Sequence, residues 1–129
     1  MTPDGLITVE SALDAAHTVH RLEAALAAKG VTLFAKVDHA ANAAGVDMPL
    51  GPTTVLIFGN AQAGTKLMQI DQRVGIDLPL KVLVWTDSAG MTWVSYNDPV
   101  WVAARYGITP EDAAVLTGMK GMLAGLAAG

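Results

Sequence analysis

The chain has 129 residues, of which 52% are hydrophobic and 16% are charged, and its formal net charge is −4. Nucleic-acid-binding proteins present a basic face, so this acidic balance, without any cluster of lysine or arginine, excludes nucleic acid and anionic membrane surfaces as predicted partners. There is no cysteine, which excludes disulfides, thiolate metal sites and cysteine nucleophiles. The low charge also predicts apolar surface and, with it, a homodimer.

Neither end of the chain has the pattern of a targeting or membrane segment. The first residues, MTPDGLITVES, lack the basic and apolar regions of a secretory signal, so a cytoplasmic location is predicted. The apolar tail, AAVLTGMKGMLAGLAAG, contains a lysine and four glycines, whereas a membrane span needs about 20 apolar residues without such interruptions. The tail is therefore predicted to be a helix of a soluble domain, with no membrane partner.

Apolar periodicity and turn residues predict the element order β-α-β-β-α-β-β-α-α. Strands are predicted over residues 6–10, 31–37, 53–58, 80–86 and 91–97. Helices are predicted from Ser11 as N-cap to Gly30, over residues 65–71, from Asp98-Pro99, and from about residue 110. Residues 38–52 are predicted as mostly loop, with at most one helical turn at their start. The run 53–58 is almost wholly apolar, which predicts a central strand buried on both faces.

The last two strands define the fold class. Residues 87–90, Asp-Ser-Ala-Gly, have the composition of a hairpin turn, and a hairpin requires antiparallel pairing in at least part of the sheet. The prediction is a single α+β domain over residues 1–129, with helices packed against an antiparallel-rich sheet. Trp85 and Trp93 lie on the two arms of the hairpin, so they are predicted to pair across the strands in a core or interface contact.

The stretch TTVLIFGNAQAGTKLMQ has the outline of a phosphate-binding loop, but its details differ. Gly59 and Gly64 have the required spacing, yet the next two residues are Thr65 and Lys66, in the reverse of the order that such a loop uses. One residue at the start of a helix turns a side chain by about 100° around the axis, so the lysine would point away from the phosphates. Nucleotide hydrolysis is therefore not predicted.

Three blocks in a fixed order carry a family resemblance: FAKVDHAANAAG, PTTVLIFGNAQAGTKLMQ and GIDLPLKVLVW, followed by MTWVSYND. From about Gly5 to Tyr106 the chain resembles domain-of-unknown-function family 302. The resemblance implies a small α+β domain that is often a homodimer, and it implies no established activity. The positions that match the family's pattern are Asp38, His39, Phe58, Gly59, Asn60, Gly64, Thr65, Asp77, Leu78 and Pro79. Ala61 departs from that pattern, in which proline usually follows the asparagine.

The leading functional hypothesis is a homodimeric domain that binds a small molecule or ion in a cleft centred on His39. Polar residues at the ends of strands are commonly presented to ligands. The residues expected to line the cleft are His39, Asn60, Thr65, Lys66 and Asp77. Because Lys66 follows a glycine-bounded loop near a helix start, an anion is a further expectation.

Two alternatives belong to other functional classes. In the first, the protein is an enzyme in which His39 acts as general base and Asp77 orients its imidazole. In the second, it is a structural or protein-interaction module that works through its dimer face and the tryptophan hairpin. His39 and Asp77 would then have only local roles, as caps of a turn and of the next strand.

No metal or cofactor is identified from the pattern. His17 and His20 lie three residues apart on the predicted first helix, so they could share one face and one metal ion, but solvated histidines are the preferred interpretation because no fourth ligand is near in sequence. His39 is a further weak metal candidate. Haem ligation by His39 or His17, with Met48 or Met68 opposite, is possible in kind, but no spacing selects it.

Overall fold

The computed structural model describes residues 3–127. The strands are β1 (Leu6–Glu10), β2 (Thr32–Asp38), β3 (Thr53–Gly59), β4 (Leu80–Thr86) and β5 (Thr92–Asn97). The helices are α1 (Ala15–Ala28), α2 (His39–Ala44), α3 (Ala61–Ile70), α4 (Pro99–Arg105) and α5 (Ala114–Ala127), with a 3₁₀ helix over Gln72–Ile76. All five predicted strands are confirmed, with bounds that shift by one residue at most.

The five strands form one sheet in the order β1-β5-β4-β3-β2, and every neighbouring pair is antiparallel. The hairpin predicted at residues 87–90 joins β4 to β5 and places Trp85 directly opposite Trp93. Their ring centroids are 6.2 Å apart with 30° between the planes, which confirms the cross-strand pair. The predicted α+β class is also confirmed.

One face of the sheet carries the hydrophobic core. Helices α1 and α5 pack on this face, and Leu22 and Leu26 of α1 belong to the same buried cluster as Leu56 and Phe58 of β3. The alternation along β3 is visible in its burial, because Leu56 and Phe58 are fully buried while Val55 and Ile57 are only partly buried. The strand is internal to the sheet as predicted, but the expectation that both of its faces are buried is wrong.

Three helices begin at residues other than those predicted, and in two of them the reason is a different N-cap side chain. Asp14, not Ser11, is the N-cap of α1 and accepts a hydrogen bond from the backbone N–H of His17 at 2.8 Å. Asn60 caps α3 by accepting from the N–H of Ala63, so this helix begins at Ala61, four residues before the prediction. The last helix starts at Ala114, because residues 109–113 form a turn first.

Residues 38–52 contain more helix than the predicted single turn. Asp38 caps α2 by accepting from the N–H of Ala41 at 2.9 Å, and the helix continues for six residues. The remaining loop, residues 45–52, is held by backbone hydrogen bonds such as that from Met48 N–H to the Ala43 carbonyl. Within residues 3–127, no helix has the length and apolar character needed to cross a membrane.

Candidate functional site

The predicted cleft centred on His39 does not form, because its residues lie at opposite ends of β3. In the antiparallel pair β2–β3, Asp38 lies opposite Thr54 and Thr32 lies opposite Gly59. His39 therefore follows β2 at the start of β3, whereas Asn60 follows the end of β3. At about 3.3 Å per residue, the two positions are roughly 20 Å apart, which is too far for one small ligand to bridge.

His39 itself is the exposed first residue of α2. The capping role at this position belongs to its neighbour Asp38, so the expectation that His39 caps a turn is wrong as well. Its proposed haem partners are also not arranged around it, since Met68 lies on α3 at the far end of the sheet. Met48 is in the loop after α2, with 64% of its surface exposed.

Asp77 has partners other than an imidazole. Its carboxylate accepts hydrogen bonds from the Tyr106 hydroxyl and from Arg105 Nη1, the latter at 3.0 Å. The bond from Tyr106 to this carboxylate raises the pKa of the phenol, because ionisation would place two negative charges in contact. Asp77 therefore ties the segment before β4 to the end of α4, and it does not orient His39 as predicted.

The other three predicted site residues do come together. Asn60, Thr65 and Lys66 line a cavity of about 590 Å³ that lies between the end of β3, the N-terminal half of α3, and α5. Gly59 and all of residues 60–66 line it, and the polar side chains among them are those of Asn60, Gln62, Thr65 and Lys66. Asn60 Oδ1 accepts the cap hydrogen bond from the Ala63 N–H, so the side-chain Nδ2 group of Asn60 remains able to donate to solvent or to a ligand in the cavity.

The rest of the cavity lining is apolar. Its side chains come from four separate parts of the fold and include Val31, Phe34, Met68, Leu78, Leu116 and Met119. Phe34 is at a register irregularity of β2, between Leu33 and Ala35, and 51% of its surface is exposed. Its ring also lies beside Gly59, with Cε2 3.6 Å from the position that a Cβ there would take.

Charge in the cavity is confined to one residue. Lys66 is the one ionisable side chain among the lining residues, none of which is a carboxylate. Four other basic residues pair with carboxylates in the part of the chain described: Lys36, Arg73, Arg105 and Lys120. Lys66 has no such partner within residues 3–127, so its ammonium group remains available to a ligand.

The histidines of α1 have local contacts. His17 Nδ1 lies 2.7 Å from Asp14 Oδ1, and Asp14 has a lowered pKa, chiefly because its carboxylate accepts the backbone N–H of His17. His20 is exposed one turn further along. Across residues 3–127, no three side chains of histidine, aspartate or glutamate are arranged to hold a metal ion.

The apolar wall of the cavity was not predicted from the sequence. Phe34 stands in an ordinary strand pattern, and nothing in the local sequence marks the irregularity that turns it toward Gly59. Leu116 and Met119 belong to a helix some 50 residues later in the chain. The glycine-rich loop with Lys66 was the one local signal for this site.

The fold and this site describe a small α+β domain with a ligand-sized cavity at one end of its sheet. Residues 7–126 match the family described as "Domain of unknown function DUF302". The chain therefore belongs to the DUF302 family, as its sequence blocks predicted. A crystal structure of a DUF302 protein from Bacillus stearothermophilus has the same fold, with a TM-score of 0.81, 19% identity and 97% of each chain covered.

The chain is also similar to two longer Brucella proteins. It is 43% identical over 104 residues to "Fluoride-specific ion channel FluC 1" of Brucella suis biovar 1. The aligned residues cover 81% of this chain and 41% of that protein. The protein of the same name in Brucella abortus biovar 1 is also 43% identical over 104 residues, with 38% of its length covered. The chain thus spans about two fifths of the length of these relatives.

Proposed function

We propose that this chain is a small-molecule-binding domain whose ligand occupies the cavity beside α3. The observation that carries the proposal is the combination of an apolar wall with a short polar rim, since binding pockets are mostly apolar and use a few polar groups to fix orientation. The volume of about 590 Å³ lies within the range of pockets that hold drug-sized molecules. The ligand site is thereby moved from His39 to Asn60, Thr65 and Lys66.

The geometry gives less support to the enzyme alternative. A general base must lie within hydrogen-bond reach of its substrate, and neither His39 nor Asp77 lines the cavity. Asp77 is already engaged by Tyr106 and Arg105. Binding without catalysis is therefore the function we propose for the cavity.

The Brucella relatives support a role for such a domain beside another activity. They are named as fluoride channels, but the match to this chain covers only about two fifths of their length. We propose that fluoride conduction in those proteins belongs to the remaining part, and that the matching part is a ligand-binding domain joined to it. A cytoplasmic location for the present chain stays a prediction.

Gly64 offers a direct test of the cavity as the binding site. A Cβ at this position would lie 3.9 Å from Leu78 Cδ1 and from Met68 Cε, which is ordinary contact, so Gly64→Ala fits without strain. A phenylalanine ring attached to the same Cβ would extend into the cavity between these side chains. We expect Gly64→Phe to weaken binding of the neutral fluorescent probe N-phenyl-1-naphthylamine by at least about tenfold, while Gly64→Ala binds like wild type.

The measurement is a fluorescence titration of the three proteins, with circular dichroism to establish that all of them are folded. Equal affinity in wild type and Gly64→Phe would mean that the probe binds elsewhere, and the proposal would be wrong. Native mass spectrometry of the purified protein provides a second readout, because a co-purifying ligand of the cavity should be lost in Gly64→Phe and retained in Gly64→Ala.

We also propose that the chain forms a homodimer through the opposite end of the sheet. In the loop before β3, Val46, Met48 and Leu50 have 66%, 64% and 52% of their surface exposed, although the backbone there is held by hydrogen bonds. In a two-fold symmetric dimer, the surface formed by residues 46–50 would pack against the same surface of the second chain. Asp47 is the one charged residue in this segment, so the electrostatic repulsion between the two copies would be small. The occupant that fits this surface is therefore a second copy of the chain.

Met48→Glu tests the dimer by placing two equal charges across the two-fold axis. We expect wild type to elute at twice the mass of one chain in light-scattering chromatography, and Met48→Glu to elute at the mass of one chain. Ala24→Glu, at an exposed position of α1, adds the same charge away from the patch and should leave the mass unchanged. A monomeric wild type, or a dimer that survives Met48→Glu, would contradict the proposed interface.

A further inference from the structure

The electrostatics of the cavity select among possible ligands. Lys66 is the single charged lining residue, it has no ion pair within residues 3–127, and no carboxylate lines the cavity to offset it. A cationic ligand would meet this ammonium group without compensation. A ligand with one negative charge would instead gain a partner, so the cavity favours anions.

The apolar wall limits what that anion can be. A nucleotide or another polyanion requires several cations, and the cavity supplies one lysine with the neutral polar groups of Asn60, Gln62 and Thr65. A small inorganic anion such as fluoride would leave the apolar side chains unused. A ligand with a large apolar part fits this lining, because burial of its apolar surface against these side chains would provide most of the binding free energy.

The arrangement of these groups also sets an orientation. The polar lining side chains all come from residues 60–66, whereas most of the apolar ones come from residues 31–34, β4, α5 and the segment before β4, with Met68 on α3 itself. A bound molecule would therefore point its charged end toward α3 and its apolar end toward Leu116 and Met119. Separation of polar and apolar sides in this way is the pattern expected for an amphiphile.

We infer that the ligand is a monoanionic amphiphile, such as a carboxylate on a medium-length alkyl or aromatic body, with its charge paired to Lys66. This inference rests on the proposed binding function and gives the chemical class of the ligand. Lys66 is exposed, so its ion pair should contribute a modest factor of about fivefold in affinity, and the factor should shrink as salt is added.

The test is displacement of N-phenyl-1-naphthylamine by three probes with the same alkyl chain: decanoate, decanol and decyltrimethylammonium. We expect decanoate to bind about fivefold more tightly than decanol, and the cation to bind most weakly. In Lys66→Met, decanoate should fall to the affinity of decanol, whereas Lys66→Arg should keep the preference. Lys29→Met, at an exposed lysine outside the cavity, is the matched control and should behave like wild type.

The outcomes distinguish a failure of the binding site from a failure of the proposed ligand class. If none of the three probes displaces the dye, or if Gly64→Phe binds them as wild type does, the proposed binding function itself fails. If decanol and decanoate bind equally to wild type and Gly64→Phe abolishes both, the cavity is a binding site and the inference about charge is overturned. Displacement of the dye by sodium fluoride at matched ionic strength would also overturn the amphiphile.

Discussion

Replacing Phe58 by alanine is expected to lower the free energy of unfolding by about 3–5 kcal/mol. Phe58 is fully buried and belongs to the core cluster that also contains side chains of α1 and α5. Alanine would remove the ring and leave a cavity that the neighbouring strands, fixed by hydrogen bonds on both sides, cannot close. Since small domains have about 5–15 kcal/mol of stability, this one change removes a large part of it.

Phe34→Ala is the matched control for this prediction. The same atoms are removed, but 51% of the Phe34 surface is exposed, so the expected loss is only about 1 kcal/mol. Urea denaturation followed by circular dichroism measures both changes, and tryptophan fluorescence provides a second probe of the same transition. Equal losses in the two variants would contradict the assignment of Phe58 to the core.

The strands were predictable because their signals are local. Alternation of apolar residues and the Asp-Ser-Ala-Gly turn are enough to define β4, β5 and the pair of Trp85 with Trp93. Helix starts were less predictable, because Ser11 and Asp14 are both good caps and the choice between them depends on the path of the chain. In the structure, the Ser11 hydroxyl lies 2.8 Å from the Thr18 hydroxyl, and Asp14 is left to cap α1.

The error over His39 has a topological cause. Residues that follow two strands meet at one edge of the sheet only if those strands are parallel. The segment between β2 and β3, residues 39–52, is long enough for either arrangement, and the sequence does not distinguish them. Antiparallel pairing separates His39 from Asn60 and leaves Lys66 with a new set of neighbours, from β2 and α5, that no local pattern could indicate.

The two proposed surfaces now lie at opposite ends of one strand. The loop with Val46 and Met48 leads into β3, and the cavity begins where β3 ends at Gly59. Sites separated in this way and without shared contacts usually respond to substitution independently. Met48→Glu should therefore alter the mass of the assembly without changing probe affinity, and Gly64→Phe should do the reverse.

Gly5→Ala is expected to destabilise the fold by about 2–5 kcal/mol, through two effects that can be separated. Gly5 precedes β1 with a φ of +77°, a conformation that costs a residue with a side chain about 1–2 kcal/mol. A Cβ there would also lie 2.3 Å from Cδ2 of Trp101 and 2.5 Å from its Cγ. These atoms are near the base of a rigid side chain, so the ring must move as a whole and α4 loses its contact with the start of β1.

Gly90→Ala isolates the backbone effect. Gly90 has a similar φ of +84°, in the hairpin turn, and a Cβ at this position would meet nothing within 4 Å. Its substitution should therefore cost only about 1–2 kcal/mol in urea denaturation. The additional loss of stability in Gly5→Ala, relative to Gly90→Ala, measures the clash with Trp101. Trp101→Ala should therefore destabilise the Gly5→Ala protein less than it destabilises wild type. If Gly5→Ala and Gly90→Ala are equally destabilising, the indole can move away freely, and the contact between Gly5 and Trp101 does not hold α4 against β1.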